Sequence, residues 1–280
     1  MEYVERRREK IETRLQEVIR NVDQSELTAE MEHITLSGGK RVRPTLTLLV
    51  CEAANGDTAN ALDFAAGIEL VHNASLVVDD IIDRSAIRRG RNSAWEQFGH
   101  SHALIASDGL IGEAFELFSS DPRAMETVAE AMVDLGEGEA TELVDKPTSE
   151  QAYMELARQK TGSLFRAAAE LGAIAANADT KTINDAGEYA ERVGIAFQLR
   201  DDVLDAIGES EDIGKPTGQD AAMNRPSILQ VTDKSTEDVN TLAYHQAEAA
   251  QRALDGLDWT DSQARSYLED LAEYVVTRER

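Results

Sequence analysis

Residues 57–83 read DTANALDFAAGIELVHNASLVVDDIID. Asp57 can cap a helix here, and apolar side chains recur every three or four positions through Leu62, Ala65, Ile68 and Leu76. A helix running on to Asp83 would span about 40 Å, a length that suits a large bundle. It stays apolar through Leu76, Val77 and Val78 and then ends on Asp79, Asp80 and Asp83. The pattern returns at residues 182–205, TINDAGEYAERVGIAFQLRDDVLD, where a span apolar at Val193, Ile195 and Phe197 closes on Arg200, Asp201, Asp202 and Asp205. The flanking sequences show no repeat.

Outward from these two stretches the same helical period continues, and there are only 5 prolines. The expected fold class is all-α. Breaks are expected at Ser37-Gly38-Gly39, Asn55-Gly56-Asp57, Arg89-Gly90-Arg91, Ser119 to Pro122, Lys146-Pro147 and Gly214 to Gly218. They leave helical spans of about 10–27 residues, and none resembles a long linker, so residues 1–280 are read as one domain.

The 280 residues carry 53 acids against 28 bases, a net charge of −25, and 42% are hydrophobic. A sizeable core is available, and wholesale disorder is excluded. So negative a surface repels phosphate backbones and anionic lipid, which excludes a general nucleic-acid partner. Only 7 of the bases are lysine and 21 are arginine. Hydrated carboxylates with few ammonium stems fit a salt-loaded cytoplasm, and a halophilic source is expected. Cys51 is the only cysteine, so neither an intrachain disulfide nor a cysteine-based zinc site is expected. The N-terminal MEYVERRREKIETRL lacks an apolar leader segment, and no window approaches 18 uninterrupted apolar residues. A cytoplasmic protein without stable membrane insertion is expected.

Positions i, i+3 and i+4 share a helix face, so Asp79 with Asp83, and Asp202 with Asp205, each project carboxylates to one side. Hard oxygen ligands with no nearby histidine or cysteine to favour zinc suit Mg²⁺, which bridges carboxylates to substrate phosphates. An acid-rich chain makes some such patterns by accident. Requiring aspartate at all three positions lowers the chance expectation to roughly 0.15 per chain, and two copies are present. The bases cluster as well: Lys40, Arg41 and Arg43 follow Gly38-Gly39, and Arg88, Arg89 and Arg91 flank Gly90. Lys160-Thr161-Gly162 and Gly214-Lys215 add two more glycine-adjacent cations. Glycine lets backbone N–H groups approach a phosphate, and the cations supply the charge that the global field denies. Each cluster alone reads equally well as surface.

Together these segments resemble the trans-type isoprenyl diphosphate synthases, the farnesyl and geranylgeranyl diphosphate synthase family, over nearly the whole chain. The matching segments are GGKRVRP at 38–44, HNASLVVDDIID at 72–83, RRG at 88–90, KTGSLF at 160–165, FQLRDDVLD at 197–205 and GKPTGQD at 214–220. The resemblance implies a single large helical bundle around a central cavity, in which the two aspartate motifs face each other and hold three Mg²⁺ on the allylic diphosphate. Asp79, Asp83 and Asp201 would be the ligands, with Asp80, Asp202 and Asp205 in support. Isopentenyl diphosphate would rest on Lys40, Arg43, His72 and Arg89, and the allylic diphosphate on Arg88, Lys160 and Lys215, with Arg225 standing where a second lysine is usual. A lone helix histidine is ordinarily a satisfied core residue, but His72 lies two turns before Asp79, on the same face and about 10 Å away.

The implied enzyme is a Mg²⁺-dependent prenyltransferase, a homodimer, that condenses isopentenyl diphosphate head-to-tail with an allylic diphosphate. Cations and metal stabilise the departing diphosphate, and Thr161 and Gln198 can turn oxygens to the allylic cation without being alkylated. In the family, side chains one turn before the first motif form the floor under the growing tail. Here these are the small Ala74 and Ser75, so a twenty-carbon geranylgeranyl product is expected, with the twenty-five-carbon geranylfarnesyl product as the alternative. Gly109 and Gly112 on the next helix would open the cavity further. Departures from the family pattern are Asn92 for a proline, Ser107-Asp108 for Gly-Asp, Gly138-Glu139 for Gly-Gln and Ser227 for threonine. The rival readings are a class I terpene cyclase, a non-catalytic subunit of a heteromeric prenyl synthase, and an acidic cation-binding protein. The cyclase would carry an Asn-Ser/Thr-Glu second motif, the subunit would have lost its aspartates, and the last would need no ordered bases.

Overall fold

The computed structural model describes residues 2–211, 225–259 and 262–278. The expected break at Gly214 to Gly218, and Lys215 with it, lies outside them. The α-helices are α1 (Glu2–Arg20), α2 (Ser25–Thr35), α3 (Val42–Ala53), α4 (Thr58–Ile82), α5 (Ala94–Phe98), α6 (His100–Phe118) and α7 (Pro122–Ala140). They continue as α8 (Glu150–Ala157), α9 (Ser163–Ala175), α10 (Thr180–Glu211), α11 (Ile228–Val231), α12 (Thr236–Asp255) and α13 (Gln263–Thr277). Two π-helical turns, Thr141–Asp145 and Arg158–Gly162, interrupt the series. One hairpin of two-residue strands, β1 (Ile87–Arg88) and β2 (Arg91–Asn92), is the only sheet among the described residues. The fold class is all-α, as the periodicity predicts.

Local chemistry sets the helix ends. Asp57 caps α4 by accepting from Ala59 N at 2.9 Å, as its side-chain type predicts. Ser149 does the same for α8, and Ser235 with Asp238 forms a capping box on α12. At its other end α4 closes through Arg84 in the left-handed region at φ 53°. Arg84 N bonds Ile81 O and Ser85 N bonds Asp80 O. This is a Schellman closure, made with arginine where glycine is usual. It halts the helix just beyond Asp79, Asp80 and Asp83.

The chain forms two compact units, residues 1–126 with 171–177, and residues 127–170 with 178–280. In the first, α4 packs against α3, α6 and α1. Leu46, Leu48, Ile68, Leu70 and Phe118 form its buried centre. The Phe118 ring lies against Gly67, where a Cβ would come within 2.6 Å of Cζ, so α4 and α6 approach through a missing side chain. Alanine at 67 would overpack this contact, at a cost of about 1–3 kcal/mol. α4 is long and apolar enough to cross a membrane by composition, but 67% of that stretch is buried within the protein, which marks a core helix. In the second unit α10 packs along α12 and α13, and Tyr189, fully buried, donates from its phenol to Leu268 O at 2.6 Å.

Candidate active site

The first unit gathers GGKRVRP, His72, the first aspartate motif and RRG. The glycine turn carries φ of +92° at Gly38 and +134° at Gly39, and its carbonyls accept from Arg89 and Arg8. A Cβ on Gly39 would stand 3.0 Å from the Arg89 guanidinium carbon, so glycine there lets Arg89 lie flat on the turn. Arg41 is buried and bonds Glu12, Glu69 and the Thr35 carbonyl, each at 2.6 Å. It ties α1, α2 and α4 to the start of α3, and is spent on structure. Its neighbour Lys40 is exposed. Arg43 Nη1 stands 3.2 Å from His72 Nε2. Burial pushes Arg43 down to about 10, with Arg89 adding to the effect, and it stays charged at neutral pH. Burial and the charges of Arg43, Arg89, Arg88 and Arg41 hold His72 well below the usual imidazole range, so it is neutral and can accept the Arg43 N–H.

The hairpin explains the direction of the next two arginines. Arg88 pairs with Arg91 across a two-residue turn, with φ of 52° at Arg89 and 75° at Gly90. Positive φ at both central residues is the tight-hairpin geometry matched to strand twist. Arg88, on the strand, turns to Asp80 with Nε at 3.0 Å from Oδ1 and 3.2 Å from Oδ2. Arg89, in the turn, reaches Gly38. Asp80 is 3% exposed, whereas Asp79 and Asp83 are half-buried and lie one turn apart. Burial raises the Asp80 carboxyl, and the negative charges of Asp79 and Asp83 push the same way against Arg88. Ala74 is buried and its carbonyl accepts from Ser107 Oγ of α6 at 3.1 Å, while Ser75 is half-buried.

The second unit gathers KTGSLF and the second motif. Lys160 and Thr161 sit in the π-turn Arg158–Gly162, the kind of helical distortion that recurs at functional sites. The turn is pressed onto α10 where Gly194 and Gly162 meet, since a Cβ on Gly194 would be 3.0 Å from Gly162 Cα. Thr161 Oγ therefore reaches Gln198 Oε1 at 2.8 Å. Lys160 Nζ is held by Glu142 and by Glu139 at 3.0 Å, and Arg225 Nε lies 3.9 Å from Glu142. Asp202 is 5% exposed and accepts from Tyr153, Ile228 N and Gln198, while burial and the Asp202 charge push the Tyr153 phenol well above its usual range. Asp201 is bonded by Arg278, whose guanidinium stacks 3.8 Å above the Phe197 ring, and Asp205 is exposed.

Within each unit the predicted residues thus fall together: Arg43, His72, Asp80, Arg88 and Arg89 in the first, and Thr161, Gln198 and Asp202 in the second. Sequence reading missed Tyr153, Glu142, Arg278 and the buried Arg41–Glu69 pair. Glu139, seen only as a departure, proves to be a Lys160 partner. Tyr153 precedes Lys160 by seven residues, a helical spacing that could have flagged it.

The donor set suits Mg²⁺: Asp79 and Asp83 are paired carboxylates one turn apart on a half-buried surface, while Asp80 is taken up by Arg88. Among solved structures, geranylgeranyl pyrophosphate synthetase from Pyrococcus horikoshii is 31% identical, with a TM-score of 0.89 over 99% of this chain and 98% of that one. A polyprenyl synthase from Caulobacter crescentus, solved with calcium and isoprenyl diphosphate, is 27% identical, with a TM-score of 0.89 over 100% of this chain and 97% of that one. The fold is therefore the all-α isoprenoid synthase fold. The polyprenyl synthetase family pattern matches residues 24–255, and the chain belongs to that family. Short chain isoprenyl diphosphate synthase of Methanothermobacter thermautotrophicus is 34% identical over 82% of this chain and 74% of that protein. Geranylfarnesyl diphosphate synthase of Aeropyrum pernix is 33% identical over 85% of this chain and 83% of that protein. The chain is accordingly an isoprenyl diphosphate synthase, a prenyltransferase acting on isopentenyl and allylic prenyl diphosphates, and Mg²⁺ dependence is typical of its family.

Proposed function

We propose that this protein makes a twenty-carbon all-trans prenyl diphosphate, with a twenty-five-carbon product as the alternative, working as one synthase domain over residues 1–280. The observation that carries the site assignment is the first motif's division of labour: Asp80 is buried and bonded by Arg88, whereas Asp79 and Asp83 are the half-buried carboxylates of the motif, one turn apart. Asp79, Asp83 and Asp201 would hold Mg²⁺ on the allylic diphosphate, three ions per site, with Asp205 in support. Bound there, the metal supplies positive charge to the departing diphosphate.

The chain's own residues do the rest. Lys40, Arg43, Arg89 and neutral His72 hold isopentenyl diphosphate, and Arg88, Lys160, Lys215 and Arg225 hold the allylic diphosphate. As the allylic C–O bond breaks, these cations stabilise the charge that develops on the leaving oxygen. Thr161 and Gln198 present oxygens to the allylic cation. The isopentenyl double bond forms the new C–C bond, and the proton lost in regenerating an alkene goes to the released diphosphate. Small Ala74 and Ser75 leave room for the tail, in keeping with the likeness to the geranylgeranyl synthase of Methanosarcina mazei, 29% identical over 99% of this chain and 97% of that protein.

Leu104 and Ile105, exposed on α6, support assembly with a second copy, and a cytoplasmic location belongs to the same proposal. Steady-state turnover with isopentenyl diphosphate and a fifteen-carbon primer tests the metal assignment. Asp79→Ala should lower kcat about 100-fold or more and raise the Mg²⁺ requirement. Wild-type turnover in that variant would refute it.

A further inference from the structure

In the second unit, hydrogen bonds link a buried phenol to Thr161 and converge on the carboxylate of Asp202. Tyr153 of α8 donates to Asp202 Oδ2 at 2.5 Å, and Ile228 N donates to the same oxygen at 2.8 Å. Gln198 Nε2 donates to the other oxygen, Oδ1, at 3.1 Å. Thr161 Oγ donates to Gln198 Oε1 at 2.8 Å. An ionised carboxylate only accepts, so Asp202 admits the NH₂ end of the Gln198 amide and refuses the carbonyl end. The carbonyl must then point away from Asp202, toward Thr161. Thr161 spends its proton on that carbonyl, which leaves the lone pairs of its own oxygen and one lone pair of Gln198 Oε1 for another partner. Both Asp202 oxygens meet protein donors, in contrast to an aspartate placed to carry a metal.

We propose that Tyr153 is a positioning residue for the prenyl transfer: by orienting Asp202 it fixes the polarity of the Gln198 amide, so that Gln198 and Thr161 present oxygen rather than N–H to the allylic cation. The proposal rests on the reading that these two residues face the cation. A reversed amide would place N–H partial positive charge there and oppose ionisation. Asp202 then serves as the hub of the orienting network, and its carboxylate acts through Gln198.

Steady-state kinetics of wild type, Tyr153→Phe, Gln198→Ala and the double variant test this, with thermal melting to show that each is folded. Removing the phenol hydroxyl should lower kcat about tenfold and leave KM for isopentenyl diphosphate within about twofold. In the Gln198→Ala background the same change should cost less than about twofold, because the amide it orients is gone. An unchanged kcat in Tyr153→Phe, or a full tenfold loss repeated in the Gln198→Ala background, would overturn the proposal and leave the reading of Gln198 standing. Wild-type kcat in Gln198→Ala itself would remove that reading, and the proposal with it. Should Tyr153→Phe melt early, Asp202→Asn gives the second route. Its amide can donate, so kcat should fall and stay low in excess Mg²⁺, whereas recovery with Mg²⁺ would mark Asp202 as a metal ligand and overturn the proposal.

Discussion

Asp80 and Asp202, the middle aspartates of their motifs, are the buried ones, and each is bonded by protein donors. Their neighbours Asp79, Asp83, Asp201 and Asp205 are half-buried or exposed. Sequence spacing places all six carboxylates where apolar runs close, and the structure puts only the first three at a helix end, since α10 continues past Asp205 to Glu211. Spacing cannot rank them, because burial depends on which side chains arrive from elsewhere: Arg88 from the hairpin, Tyr153 from α8. His72 carries a pH prediction. Its folded pKa lies well below 6.5 because of burial and the surrounding arginines, whereas in the unfolded chain it takes its ordinary value. Above pH 6.5 both states are neutral at this site and the fold keeps its full stability. As pH falls below 6.5 the unfolded chain binds a proton that the folded protein refuses, and stability is lost by at most about 1.4 kcal/mol per pH unit. Urea unfolding from pH 7.5 down to 5 should show this decline for wild type and a shallower one for His72→Gln. Identical slopes would assign the effect to other groups.

At the scale of elements, α4 and α10 are legible because their period, their apolar faces and the Asp57 cap are all local properties. The π-turn Arg158–Gly162 and the tight hairpin are not, since each depends on a close approach. Gly162 meets Gly194, and Arg89 accepts a left-handed φ so that its guanidinium can lie on the Gly38 turn. Arg41 shows the same limit: read from sequence as one of three clustered cations, it is an internal tie among helices. Arg41→Ala would leave Glu69 buried without its ion-pair partner, and chemical unfolding should show a loss of about 3–5 kcal/mol. A loss under about 1 kcal/mol would mean that Glu69 is satisfied without it. On α4, phenylalanine at Ala74 would be forced beneath α6, at about 1–3 kcal/mol for overpacking, so the half-buried Ser75 gives the cleaner probe of the tail's floor. Ser75→Phe should shorten the product on chromatography against prenyl alcohol standards, and an unchanged length would move the floor elsewhere.

Over the whole molecule, the charge of −25 and the 21 arginines against 7 lysines make salt part of the stability balance. Screening weakens repulsion among carboxylates, so the melting temperature should rise from dilute buffer to molar KCl, and an unchanged value would refute a halophilic adaptation. Family, fold class and reaction type were legible in the six ordered motifs, because each motif is a local pattern with a specific chemistry. Product length, which we propose depends on the space around Ala74 and Ser75, is less legible, because space is not written in any one segment. The most direct test is therefore product analysis of the purified protein in molar KCl with Mg²⁺, isopentenyl diphosphate and allylic primers of five, ten and fifteen carbons. A twenty- or twenty-five-carbon linear diphosphate, formed by wild type and absent with Asp79→Ala, is the expected result. A cyclic hydrocarbon, or no consumption of any primer by folded protein, would contradict it.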